Sequence, residues 1–175
     1  MSLRGVGYNA SYGLSIEHIR KECLRMGRCN ALAMKLWEEN TRETRLFGLY
    51  LMEPAKCDSE FAERITRQID TLELSQHAAY AVFAESQIDE KTILAWCADT
   101  STTVKMTGYN TLIRKIKNDT FASVEFGTLF DIVLADIRND RLMFTQVFIS
   151  LLDCIARVNQ NLIPESFAMA LEVEK

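Results

Sequence analysis

Proline is nearly absent from this chain: Pro54 and Pro164 stand alone, with seven glycines in 175 residues. So few breakers exclude a fold of many short strands and tight turns, and abundant Leu, Ala, Glu, Arg and Met favour helices. Histidine is as scarce, limited to His18 and His77. The five cysteines (Cys23, Cys29, Cys57, Cys97 and Cys154) are an odd number without CxxC spacing. Neither a zinc site nor a secreted disulfide framework is expected; the thiols read as buried groups in a reducing cytoplasm. No apolar run reaches the length of a membrane span and no segment reads as a signal peptide, so no membrane partner is expected. A glycine-rich phosphate loop, HExxH and GxSxG are all missing, so the motifs point to no metal or organic cofactor.

What is present is 48% hydrophobic and 25% charged residues, the profile of a globular protein with one sizeable core. A single domain over 1–175 is expected, with residues 1–10 outside its ordered part. The net charge of −4 is unevenly spread. Residues 1–53 carry eight Lys/Arg against six Asp/Glu, whereas residues 54–100 carry four against nine. A basic face for nucleic acid would therefore be local and built mainly from the N-terminal third.

Periodicity of 3.6 residues recurs along the chain, interrupted by short polar turns. Ser15 is placed to cap a helix with Ile16, Ile19, Cys23 and Leu24 on its apolar stripe, and Asn30 to cap the next. A third helix runs from Thr41 to about Met52 and must stop before Pro54. Its stripe of Leu46, Leu49, Tyr50 and Met52 reads as core. Asp58 or Ser59 starts a fourth, residues 70–83 form a fifth, and Asp89 caps a sixth. Further helices are predicted over 101–117, 120–137, 140–158 and 164–173. FASVEFGTLF is the nearest approach to a strand and also fits a helix. The class is all-α.

A faint echo accompanies this pattern. Trp37 is followed by Gly48, and Trp96 by Gly108, an offset of 59 to 60 residues. Antiparallel helix pairs stacked into a HEAT-like α-α superhelix would produce it. Both tryptophans then read as core residues between helices.

Two stretches carry a resemblance. NASYGLSIEHIRK, with Tyr12, Gly13, Leu14, Ser15, Ile19 and Arg20, is similar to the lead-in segment of the AlkD-type DNA alkylation repair family. ALAMKLWEENTRETRLFGLYLM supplies Leu32, Ala33, Leu36, Trp37, Arg42, Glu43, Arg45 and Leu46 at the matching positions. The resemblance implies a superhelix of HEAT-like pairs whose concave face holds duplex DNA. It also implies N-glycosylase chemistry on alkylated purines without cofactor. In that chemistry a carboxylate opposes oxocarbenium-like charge and aromatic rings contact the lesion nucleotide.

At the family's catalytic segment, similar to Asp-x-Trp-Asp-x-x-Asp, this chain reads Asp70-Thr71-Leu72-Glu73-Leu74-Ser75-Gln76. Leu72 stands at the tryptophan and Gln76 at the catalytic aspartate. A leucine offers no π-face and a neutral amide no negative charge. In TTVKMTGYN, Thr103 stands at another tryptophan and Lys105 remains of a basic pair. Leu151 stands where the family often has a further tryptophan. The resemblance thus implies a degenerate site.

Glu73 shares a helix face with Gln76 and is the candidate substitute; its alternative reading is a solvated first-turn glutamate favoured by the helix dipole. His77 has no Ser, Cys or acid partner at helical spacing and reads as a half-buried helix histidine. Arg25, Arg42, Arg45 and Lys105 are the candidate DNA-binding residues, equally readable as solvated surface charge. The leading reading is a degenerate, non-catalytic family member in the cytoplasm, binding duplex DNA weakly or a protein. An active DNA N-glycosylase and a structural scaffold without DNA contact are the rivals.

Overall fold

The computed structural model describes residues 9–118, 126–139 and 141–158. These form α1 (Ile16–Met26), α2 (Asn30–Glu38), α3 (Arg42–Leu51), α4 (Ser59–Thr66), α5 (Leu72–Ala81), α6 (Glu90–Cys97), α7 (Thr102–Lys117), α8 (Phe126–Asn139) and α9 (Arg141–Val158). Short 3-10 turns lie at Pro54–Lys56 and Phe83–Glu85, and no strand occurs among the described residues. The protein is all-α. The helix predicted over 164–173 and the start of that predicted at 120 lie outside the described residues; the end of FASVEFGTLF belongs to α8.

Short polar side chains set the starts. Ser15, Thr41, Asp58, Thr71 and Asp89 each accept an amide hydrogen bond from the first turn, and Thr41 forms a capping box with Thr44. Such caps each contribute about 1 kcal/mol. Asn30 is not a cap: it is the first residue of α2, and its side-chain oxygen accepts from the Glu53 amide at 2.7 Å. Leu24 is likewise off the buried stripe, being 84% exposed, because it lies about 100° around the helix from Cys23. Asn9 and Ala10, expected outside the fold, are hydrogen-bonded to Asn40 and Arg42.

The contacts define two compact units, one ending at Thr111 and one beginning at Leu112. In the first, helices repeat at intervals of about thirty residues: α2, α4 and α6 begin at 30, 59 and 90, and α3, α5 and α7 at 42, 72 and 102. The Cys29 amide donates to the Leu51 carbonyl, so α2 and α3 run antiparallel. Ser59 bonds Asp89 and Arg67 bonds Asp99, which sets α4 and α6 side by side and parallel. Contacts of Arg42 with Glu73 and of Tyr50 with His77 do the same for α3 and α5.

The Trp–Gly echo has a steric cause. Trp37 and Trp96 are each 1% exposed. A Cβ on Gly48 would fall 3.0 Å from the Ala33 carbonyl oxygen; one on Gly108 would fall 2.8 Å from the Cys97 nitrogen and 2.9 Å from Trp96 Cβ. Helix backbones approach each other closely there, so only glycine fits without movement. Ala78 occupies the corresponding place thirty residues from each and is fully buried.

In the second unit α8 packs on α9, with Leu129, Val133, Phe144, Phe148, Leu151 and Ile155 buried. Of the five thiols only Cys29 is exposed, and burial pushes Cys23 up to about 11. No helix among the described residues is long and apolar enough to cross a membrane.

Candidate functional site

The site grows from two adjacent residues at the start of α3. Glu43 is 3% exposed. Its carboxylate accepts from the amides of Tyr12 (3.0 Å), Gly13 (2.9 Å) and Leu14 (3.3 Å), and from the Ser11 hydroxyl (3.2 Å). This ties residues 11–14 as a strap across the helix start. Burial opposes ionisation of Glu43, but the hydrogen bonds outweigh it and hold the carboxyl below the usual glutamate range. Arg42 gathers the remaining groups. Its Nε and Nη2 donate to Glu73 at 2.9 and 2.5 Å, and its Nη1 donates to the Leu14 carbonyl at 2.9 Å. The hydrogen bond to Glu73 is the main cause of the raised Arg42 pKa.

The first-turn glutamate is thus a half-buried member of a forked ion pair rather than a solvated group. The outward stripe of α5 is Leu72, Gln76 and Tyr80, at spacings of four residues and all exposed. The inward stripe, Glu73 and His77, meets α3. His77 Nδ1 lies 2.8 Å from the Tyr50 hydroxyl, and the Tyr50 ring meets the Tyr80 ring edge-on at 6.3 Å. From α1, Arg20 donates to the Tyr80 hydroxyl at 2.7 Å, its guanidinium 5.0 Å from that ring's centre. Three cross-helix pairs therefore line one face: Arg42 with Glu73, Tyr50 with His77, and Arg20 with Tyr80. Periodicity within one helix holds no signal for them. The His77 partner stands 27 residues back, close to the repeat interval.

The other residues singled out from the sequence are dispersed. Arg45 is buried; it stacks 4.9 Å over Trp37 and donates to the Gln68 carbonyl at 2.8 Å and to Asp70 at 3.4 Å. Arg25 is exposed and pairs with Glu22 at 3.0 Å. Lys105 is half-buried on α7. Thr103 ties α7 to the α4–α5 connection by donating to the Ile69 carbonyl at 2.8 Å, and to α5 by accepting from the Ser75 hydroxyl at 3.0 Å. Leu151 is fully buried in the second unit, a core residue of α9. No group of three or more His, Cys, Asp or Glu suited to a metal occurs among the described residues.

The family model described as DNA alkylation repair enzyme matches residues 9–147. The chain belongs to the DNA alkylation repair enzyme family. A search of the curated proteins and one of the solved structures each found no significant match. The matched span of this DNA alkylation repair family member takes in the strap, α1 to α8 and the whole α1–α3–α5 face.

Proposed function

We propose that this DNA alkylation repair family member binds nucleic acid through the α1–α3–α5 face and does not excise bases. Its thirty-residue helix pairs support a HEAT-like architecture for that surface. One observation carries the non-catalytic reading. The position similar to the family's catalytic aspartate is Gln76, an exposed neutral amide, and the nearest acid, Glu73, is neutralised by Arg42. A carboxylate accelerates glycosidic cleavage by opposing positive charge as the bond breaks. Loss of such a group costs about 3 kcal/mol or more of barrier, roughly a hundredfold in rate. Arg42 places a cation against Glu73 and cancels most of the field a developing sugar cation would feel.

The second reading, an active glycosylase, rests on Glu73 remaining one-third exposed one turn from Gln76. Base release from alkylated duplex DNA separates the two. The expected result is no 7-methylguanine or 3-methyladenine beyond the spontaneous rate. Release by the parent protein that disappears in Glu73→Gln would overturn the non-catalytic reading. Binding is expected to be weak and to fall with salt on a slope of a few phosphates, because Arg42 and Arg45 already have partners within the fold.

A further inference from the structure

We infer that Tyr80, Gln76 and Arg20 form a binding site for one unpaired nucleotide of a nucleic acid strand, which the protein holds intact. This rests on the nucleic-acid reading above and gives its ligand and contact residues. Tyr80 is an exposed aromatic whose position is fixed from two sides. Arg20 bonds its hydroxyl and sits 5.0 Å from its ring centre, and Tyr50, itself anchored on His77, meets the ring in a T-shaped contact. With 39% of the residue still exposed, the ring offers a platform that needs little further ordering on binding. A base stacked on such a ring gains affinity whatever its identity, whereas in a paired duplex the base faces are hidden by their neighbours.

The flanking groups fit the rest of a nucleotide. Gln76 stands one turn from Tyr80 on the outward stripe, and its amide presents a donor and an acceptor side by side, matching a base edge. Arg20 has five N–H donors, of which the Tyr80 hydroxyl takes one, and Lys21 beside it on α1 is exposed. Together they give a positive rim suited to a phosphate next to an uncharged stripe suited to a base. The positive rim favours a polyanionic backbone over an uncharged peptide segment.

The test is fluorescence anisotropy at low salt with the full chain. Three labelled DNA probes are compared: a single strand, a fully paired duplex, and a duplex with a one-nucleotide bulge. The single strand and the bulge are expected to bind more tightly than the paired duplex. Tyr80→Ala is expected to weaken single-strand binding about tenfold, in the range of one stacked base. Tyr80→Leu, which keeps the apolar bulk, should lose as much, and Tyr80→Phe should keep most of it. Arg20→Gln should flatten the salt dependence by about one phosphate. Gln76→Ala should narrow the difference between oligo-dA and oligo-dT. Single-strand binding unchanged in both Tyr80→Ala and Tyr80→Leu would overturn this inference and leave the nucleic-acid reading standing. No binding of any probe by the parent would overturn both, and the base-release assay would still decide catalysis separately.

Discussion

Two pairs of parallel helices, built on the same interval and stitched by the same kinds of group, end in different states. Across α3 and α5, Arg42 meets Glu73 with the side chains 20% and 33% exposed. Across α4 and α6, Arg67 meets Asp99 with the side chains 50% and 15% exposed, and within its own helix end it also pairs with Glu63. Both arginines have raised pKa values, and the bond to a glutamate is the main cause in each case. The difference lies in what else holds them. Arg42 also grips the Leu14 carbonyl and touches the buried Glu43, so its geometry is locked by the strap. Arg67 is itself half open to water, where salt and side-chain entropy remove most of the Coulomb gain, and no further element among the described residues holds it. A repeat thus supplies the cross-helix contact, and burial against a further element decides whether it becomes rigid.

Removal of the strap's anchor is the largest way to break this contrast. Glu43→Ala leaves three amides, a hydroxyl and part of Arg42 without their acceptor, and is expected to cost about 4 kcal/mol in urea unfolding. The pH dependence follows from the same group. Its native pKa lies below the ordinary glutamate value of 4.5, so its stabilisation is complete above that value. That stabilisation is lost as pH falls through the lower native value. The melting temperature of the parent should therefore fall more steeply below about pH 4.5 than that of Glu43→Gln, as thermal scans would show. Parallel curves would remove Glu43 as the cause.

The close helix approaches at Gly108 and Gly48 come next. A methyl on Gly108 meets backbone at 2.8 Å, one on Gly48 at 3.0 Å. Overpacking costs about 1–3 kcal/mol, against about 1 kcal/mol gained in helix propensity by alanine. Gly108→Ala is expected to destabilise by about 2 kcal/mol net and Gly48→Ala by less than half of that. Equal effects in chemical denaturation would show that the two joints are equally tight.

The smallest effect sharpens the contrast most directly. Arg42→Ala is expected to cost about 1 kcal/mol and Arg67→Ala a few tenths at most. At 1 M salt the Arg67 difference should vanish while the Arg42 difference persists, since exposed pairs are screened and partly buried ones much less. Loss of both differences in salt would mean the two ladders are alike.

Much of the fold was legible in the sequence. Ser15, Thr41 and Asp89 mark helix starts because a short oxygen-bearing side chain satisfies an orphan amide wherever it stands. The buried tryptophans were legible for the same kind of local reason, and their spacing to glycine showed a repeat, though at twice its true interval. Other residues misled. Leu24 looked like stripe and is exposed, and Tyr50 looked like core and is instead the half-buried partner of His77. Arg45 looked like a phosphate contact and lies buried on Trp37.

By itself the sequence determined the helical class, the helix boundaries to within a few residues, the family, and the absence of a carboxylate at position 76. These depend on propensity, capping and residue identity, which act along the chain at short range. Only the tertiary structure decided that Glu73 is paired with Arg42, that His77 meets Tyr50, and that Arg20 fixes Tyr80. Those partners lie 27 to 60 residues apart. Side chains on neighbouring parallel helices meet at an interval set by loop lengths and helix packing, which the 3.6-residue period of one helix does not contain.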